Sequence, residues 1–231
     1  MRKSNAFLGA ITLVSLLILV FYGIAALSPI NPKPKDVNEI DTTVVPLERP
    51  TLSYGNPSLG PRDAKVVVTV FGDYLCKPCA EFEGTIAEML AEFPDDVRLV
   101  WKDMPNQSLH SEAINAAVAA RCAGDQGGFW QYHDLLMQEQ ASINAKNYVP
   151  FAAQLGIELE AFQTCYDNKQ TQPLVQRDFD EGQRLRIDST PYTFVNGRRV
   201  SGAISYEQLR GFVISALAEA NVPPTNQNAP Q

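Results

Sequence analysis

The feature that most restricts how this chain can fold is a junction. The run "AKVVVTVF", residues 64–71, ends at Gly72 and leads within four residues into Cys76-Lys77-Pro78-Cys79, after which Phe82, Ile86, Met89, Leu90 and Phe93 recur at helical spacing. A continuous β-branched run is the pattern of a strand buried on both faces, so the cysteines stand where a core strand gives way to a helix. The first helical turn has unpaired N–H groups and the positive end of the helix dipole, and both favour a thiolate over a thiol. Lys77 adds a positive charge between the cysteines, and Pro78 fits because the first turn does not need its N–H. Cys76 is therefore expected to be the activated thiol and Cys79, one turn further in, the less exposed resolving thiol. Two thiols placed for an easy disulfide, one of them activated, make a redox couple.

Other uses of a C-x-x-C fit less well. A zinc site wants a second close pair or a histidine cluster, whereas Cys122 and Cys165 stand alone and the only histidines are His110 and His133. An inert staple between Cys76 and Cys79 would close so small a loop that little stability follows. Neither a metal nor an organic cofactor is needed for thiol exchange.

The remaining pattern orders the elements. A second strand is expected over "DVRLVWKDM", residues 96–104, followed by a long stretch with helical signals only, including the alanine-rich residues 109–122. Strands return at "PYTFVNGRRVSG", where Asn196-Gly197 marks a two-residue hairpin turn, and an amphipathic helix follows over residues 205–220. Ahead of all this, residues 6–27 form an uncharged apolar run after Arg2 and Lys3, long enough as a helix to cross a bilayer. It lacks a clean small-x-small cleavage site, so residues 1–30 read as an uncleaved signal-anchor with the rest of the chain facing outward. Proline and polar residues then make 31–52 a linker, 53–222 the folded domain, and 223–231 a flexible tail. A net charge of −7 and a pI near 4.9 leave no basic face for nucleic acid.

Taken in combination, "GDYLCKPC", "RCAGDQGGFWQYHDLL" and "STPYTFVNGRRVSG" resemble the DsbA-like branch of the thioredoxin superfamily, nearest its membrane-tethered BdbD-type proteins. The resemblance implies an α/β fold, a thioredoxin core with an inserted helical domain at about 105–187, preceded here by the transmembrane helix. It also implies that Cys76 forms the mixed disulfide with a client and that Pro191, preceded by Thr190, is a cis proline facing the pair. Cys122 and Cys165 fall in different helices of the block, as a second cysteine pair does in some relatives. An even number of outward-facing cysteines favours pairing, so a structural disulfide between them is expected.

The implied activity is that of an extracytoplasmic oxidase, a monomer that introduces disulfides into exported cysteine-containing proteins and is reoxidised by a quinone-linked membrane partner of the DsbB or VKOR type. Two departures from the family pattern matter. Val70 occupies the position, six residues before the first cysteine, where relatives commonly carry a buried acid; Asp73 is nearer but reads as a solvated turn residue. Lys77-Pro78 also replaces the histidine-containing dipeptide of strong oxidants, which keeps a reductase or isomerase on the same scaffold open, and beyond it a client-binding scaffold without redox turnover. Tyr74, Leu75 and Tyr192 flank the two active-site turns and are expected to form an apolar rim for clients. His133 reads as a hydrogen-bonded, partly buried residue, and His110, near a helix start, as exposed.

Overall fold

The structure is a computed structural model, and it describes residues 48–221. The expected anchor, most of the expected linker and the tail lie outside the described residues. No helix among the described residues is long and apolar enough to cross a membrane.

Five strands form one sheet: β1 (Ser58–Leu59), β2 (Val66–Gly72), β3 (Val97–Asp103), β4 (Tyr192–Val195) and β5 (Arg198–Ser201), in the spatial order β1-β3-β2-β4-β5. β2 and β3 are parallel, in register from Val66 with Val97 to Gly72 with Asp103, and are joined through helix α1 (Lys77–Glu92). β4 runs antiparallel to β2, and the β4–β5 hairpin closes through Asn196 (φ 47°) and Gly197 (φ 90°), the left-handed pair that a two-residue turn of this kind requires. Between β3 and β4 lie helices α2 (Ala113–Gly124), α3 (Phe129–Gln138), α4 (Tyr148–Gln154), α5 (Leu159–Asp167) and α6 (Gln172–Arg184). After β5 comes α7 (Tyr206–Ala220), opened by Ser205 in a reciprocal capping box with Gln208.

β2 explains its own sequence. Val66, Val68 and Val70 pack with Phe82, Ile86 and Met89 of α1 and Leu209 and Val213 of α7, while Phe71 belongs to a separate cluster with Met104, Leu185, Tyr192 and Phe194. The strand is thus covered on both faces, which its unbroken apolar run demands. Where α6 meets this second cluster a side chain would not fit: a Cβ on Gly182 would lie 2.5 Å from the Met104 sulfur.

Two features were not visible in the pattern. The alanine-rich helix begins at Ala113 rather than 109, and Leu109 is exposed. The larger surprise is ionic. Lys102 and Asp103 at the end of β3, Arg121 of α2, and Asp178 and Glu181 of α6 are all buried. Lys102 Nζ lies 2.6 Å from Glu181 Oε2, Arg121 Nε lies 2.7 Å from Asp103 Oδ2, and Arg121 Nη2 pairs with Asp178 Oδ2. Trp101 Nε1 donates to Asp103 Oδ1 at 2.8 Å, and Asn56 Nδ2 donates to Asp178 Oδ1 at 3.1 Å. Charges this deep are tolerable only when paired and hydrogen-bonded, and here each pair joins the sheet to a helix of the inserted block or joins two such helices.

Candidate active site

Gly72 ends β2 and lets the chain turn under Trp101, whose ring a Cβ at that position would strike. The turn is then closed by Asp73, whose backbone carbonyl accepts the Cys76 N–H at 3.1 Å and whose Oδ1 accepts the Leu75 N–H at 2.9 Å. That geometry delivers Cys76 to the N-cap of α1 with extended backbone, φ −78° and ψ 112°, and puts Pro78 in the first turn. The Cys76 carbonyl accepts from the N–H of Cys79 at 3.0 Å, so the second cysteine lies one turn inside the helix. Both thiols are free and buried. Gln140, between α3 and α4, reaches over from the helical block, its Nε2 donating to the carbonyls of Tyr74 (2.8 Å) and Cys76 (3.0 Å). Nothing in the sequence marked Gln140, since a lone glutamine between helices has no local signature.

The Thr190–Pro191 peptide bond is cis and stands opposite the pair, with the Thr190 carbonyl oxygen 3.3 Å from Cys76 Sγ. The two sulfurs are driven apart in acidity. The Cys76 thiol is lowered from 9.0 to about 6, first by the hydrogen bond it receives from the Cys79 thiol and then, against opposing burial, by hydrogen bonds from the Thr190 side chain and the Cys79 backbone. The proton it gives up electrostatically is kept by its partner: Cys79 is pushed far above the thiol range by that same hydrogen bond and by burial. At neutral pH the reduced site is one thiolate, Cys76, solvated by one thiol, Cys79. Lys77 does not contribute as expected. Its ammonium points to solvent and lies 3.7 Å from Glu81, in an exposed i,i+4 pair.

Four expectations about neighbouring residues need correction. Tyr74 is not part of an exposed rim: it is buried, its ring 5.4 Å from that of Trp101 and its hydroxyl 3.1 Å from His133 Nδ1, and burial pushes its acidity well below that of an ordinary phenol. Tyr192 is buried as well, its hydroxyl accepting from Arg199 Nε at 3.0 Å and its ring tilted at 42° against that of Phe194, which leaves Leu75 as the half-buried member. Asp73 is a buried residue rather than a solvated one, and His110 is drawn in to it, Nδ1 lying 2.9 Å from Asp73 Oδ2. His133 is buried and hydrogen-bonded in line with its sequence reading. Its Nε2 lies 3.3 Å from Glu83 Oε1, and with Asp134 these side chains bring three ligand atoms within 4.8 Å of one another. Both ring nitrogens of His133 already face protein partners, so the group explains itself without a metal.

Beside the cis turn a cavity of about 410 Å³ opens, lined among others by Asn106, Gln107, Phe179, Gln183, Ser189 and Thr190. It runs from the Thr190 side of the cysteine pair toward α6. On the far side of the inserted block, Cys122 of α2 and Cys165 of α5 are disulfide-bonded, with a Cα–Cα distance of 5.8 Å.

A family model described as Thioredoxin matches residues 53–214. Among curated proteins the chain is 34% identical over 171 residues to a Na(+)/H(+) antiporter NhaA 1 of Salinispora arenicola, covering 74% of this chain and 26% of that protein. It is 31% identical over 162 residues to a Na(+)/H(+) antiporter NhaA of Herminiimonas arsenicoxydans, covering 70% and 25%. The chain therefore spans about a quarter of the length of these relatives. Among solved structures it is similar to BdbD from Bacillus subtilis in its oxidised form, with a TM-score of 0.67 and 24% identity over 74% of this chain and 96% of that one. It is also similar to a thioredoxin-like oxidoreductase from Silicibacter pomeroyi, TM-score 0.63 and 25% identity over 72% and 94%. The thiol-disulfide exchange protein alpha-DsbA2 from Wolbachia pipientis superposes with a TM-score of 0.64 at 18% identity, over 71% and 88%.

Proposed function

The chain belongs to the thioredoxin family, and from that premise we propose that it is a thiol-disulfide oxidoreductase working as an oxidase of exported proteins. The observation that carries the reading is the split between the two sulfurs: Cys76 is held as a thiolate with its acidity near pH 6 while Cys79 keeps its proton. Stabilising the reduced pair in this way makes its disulfide a better electron acceptor. In the forward reaction a client thiolate attacks Cys76 Sγ of the oxidised pair, a client–Cys76 bond forms, and Cys79 leaves as a thiolate that takes up a proton. A second client thiolate then attacks the client's own sulfur in that mixed disulfide, releasing Cys76 as its stabilised thiolate. The client has lost two electrons and the pair has gained them.

The cavity beside Thr190 gives the client a place to lie, because an extended segment there can run along Ser189 and the half-buried Thr190 while its cysteine reaches Cys76. Leu75 and Phe179 supply its apolar contacts and the glutamines its polar ones. Tethering by the apolar run at residues 6–27 would hold this domain on the outer side of a membrane, and a quinone-linked membrane protein of the DsbB or VKOR type is the class of partner able to remove the two electrons. The antiporter activity in the relatives' names belongs to proteins of which the matched region is only about a quarter, and ion transport is not assigned to this chain.

The test is the equilibrium reduction potential of the Cys76–Cys79 pair in the full chain. The oxidase reading expects a value well above the thioredoxin level of about −270 mV and toward the DsbA level of about −120 mV. A value at or below the thioredoxin level would turn the reading to reductase. With Cys79→Ser, client adducts are expected on Cys76; adducts on Cys122 or Cys165 would remove the assignment.

A further inference from the structure

Val70, where relatives commonly place an acid, is 1% exposed and packed in the apolar core, so the charge that acts on the cysteines must come from elsewhere. Asp73 supplies one. Its side chain has no exposed surface, and its partners are fixed: Oδ1 accepts from Leu75 N–H at 2.9 Å, while Oδ2 accepts from Asn106 N–H and faces His110 Nδ1, both at 2.9 Å. A carboxylate only accepts, so the ring nitrogen must carry the proton. The backbone of the same residue holds both cysteines, accepting the Cys76 N–H and hydrogen-bonding the Cys79 sulfur. A negative charge here opposes the thiolate at Cys76, the one unfavourable charge the thiolate meets from this turn. His110 pairs with that charge through Oδ2, its ring 26% exposed, on the segment between β3 and α2.

We propose that Asp73 and His110 act as one positioning unit, in which Asp73 ties the turn that carries Cys76 and His110 draws the carboxylate's charge away from the reactive sulfur. The unit rests on the redox reading of Cys76 and Cys79. It replaces a core acid with one in the active-site turn, and it makes the segment carrying Asn106 and His110, which also lines the client cavity, part of the electrostatics of the pair. A client that displaced His110 from Asp73 would thereby expose Cys76 to the full charge and weaken its thiolate as a leaving group.

The experiment is the pH dependence of iodoacetamide alkylation at Cys76, read by peptide mass spectrometry, in the reduced full chain. His110→Gln is expected to raise the midpoint by ~0.5 pH unit or more, which slows alkylation about threefold at pH 5.5. Asp73→Asn should lower the midpoint, and the double variant should match Asp73→Asn alone, because His110 has no charge left to offset. His110→Asn, whose amide nitrogen stands at about the reach of the ring Nδ1 where that of the longer Gln overshoots it, should recover part of the loss. A structural role for His110 would instead shift the midpoint equally in both backgrounds, and that result, or an unchanged midpoint in His110→Gln, overturns the proposal. Failure of the redox reading looks different: the wild-type chain itself would then alkylate with an ordinary thiol midpoint near 9.

Discussion

The chain carries two buried cysteine pairs, and they behave as opposites. Cys122 and Cys165 lie in the last turns of α2 and α5, 43 residues apart, and their sulfurs are joined. Cys76 and Cys79 are three residues apart at a helix N-terminus, and their sulfurs share one proton unequally. Burial does not separate the two cases, since all four residues are less than a tenth exposed. What differs is the set of hydrogen-bond donors. Cys122 Sγ lies 3.5 Å from the Thr171 hydroxyl, which donates to the Val118 carbonyl instead, and Cys165 Sγ lies 3.8 Å from the Asp125 carboxylate, so neither sulfur has a free donor directed at it. Cys76 has a thiol, a backbone N–H and the Thr190 side chain directed at it. Reactivity therefore comes from where the chain turns, and durability from how much chain the bond encloses.

The largest expected effect breaks the comparison at its reactive end. Replacing Cys76 with serine should abolish oxidation of a dithiol peptide, a loss of at least ~10³-fold, because Cys79 then has no disulfide partner and the client thiolate has no disulfide to attack. The Cys122→Ala/Cys165→Ala double variant should retain activity within about threefold at 25 °C, since neither sulfur meets the client. A large loss in the double variant with the fold intact by circular dichroism would mean that the second pair exchanges electrons with the first.

The second effect is on stability and falls at the other end. By chain entropy, a bond enclosing a loop of 43 residues stabilises the fold by about 4 kcal/mol, so the same double variant should show an unfolding free energy from urea titration lowered by an amount of that order, with its m-value changed through the unfolded state. Asp178→Ala offers a calibration in the same measurement. It strips a buried carboxylate from Arg121 and leaves that guanidinium with Asp103 and the Gly55 carbonyl, a type of change that costs about 3–5 kcal/mol. If removing the disulfide costs less than 1 kcal/mol, the inserted helices are held by this ionic network rather than by the bond.

How much of this could be read from the residues depends on whether the signal was local. The strand-to-helix junction, the Asn196-Gly197 turn and the last helix opening at Ser205 are written in adjacent positions, and each lies where its pattern placed it. The ionic network was invisible because Lys102, Arg121 and Asp178 are spread over 77 positions and each alone looks like a surface residue. Tyr74, Asp73 and His110 failed for a related reason. Their sequence neighbours are turn residues, and turns are ordinarily solvated, but this one is roofed by Trp101, His133 and the segment after β3. The fold was legible from periodicity, whereas the polarity of the site depended on which distant segment covers it.

The smallest effect sharpens the comparison, because it counts protons. Reducing an ordinary disulfide takes up two electrons and two protons, so its potential falls by about 59 mV per pH unit until the thiols ionise near pH 9. For the Cys76–Cys79 pair the second proton is lost at about pH 6, and Cys79 alone is protonated above that. The slope should accordingly fall to about 30 mV per pH unit from pH 6 upward. The same protons act on folding. Cys76 has a folded acidity of about 6 against 9.0 in the open chain, so the folded reduced state binds fewer protons between those values. Its stabilisation is complete above pH 9, declines as the pH falls and is gone below pH 6; the raised Cys79 acts only above pH 9, and there in the opposite sense. The reduced domain should thus gain urea resistance from pH 6 to 9 relative to the oxidised one, whose sulfurs do not titrate. A slope that stays at about 59 mV through pH 8, with no such gain, would mean that Cys76 is an ordinary thiol, and the two cysteine pairs would then differ only in the length of chain each one closes.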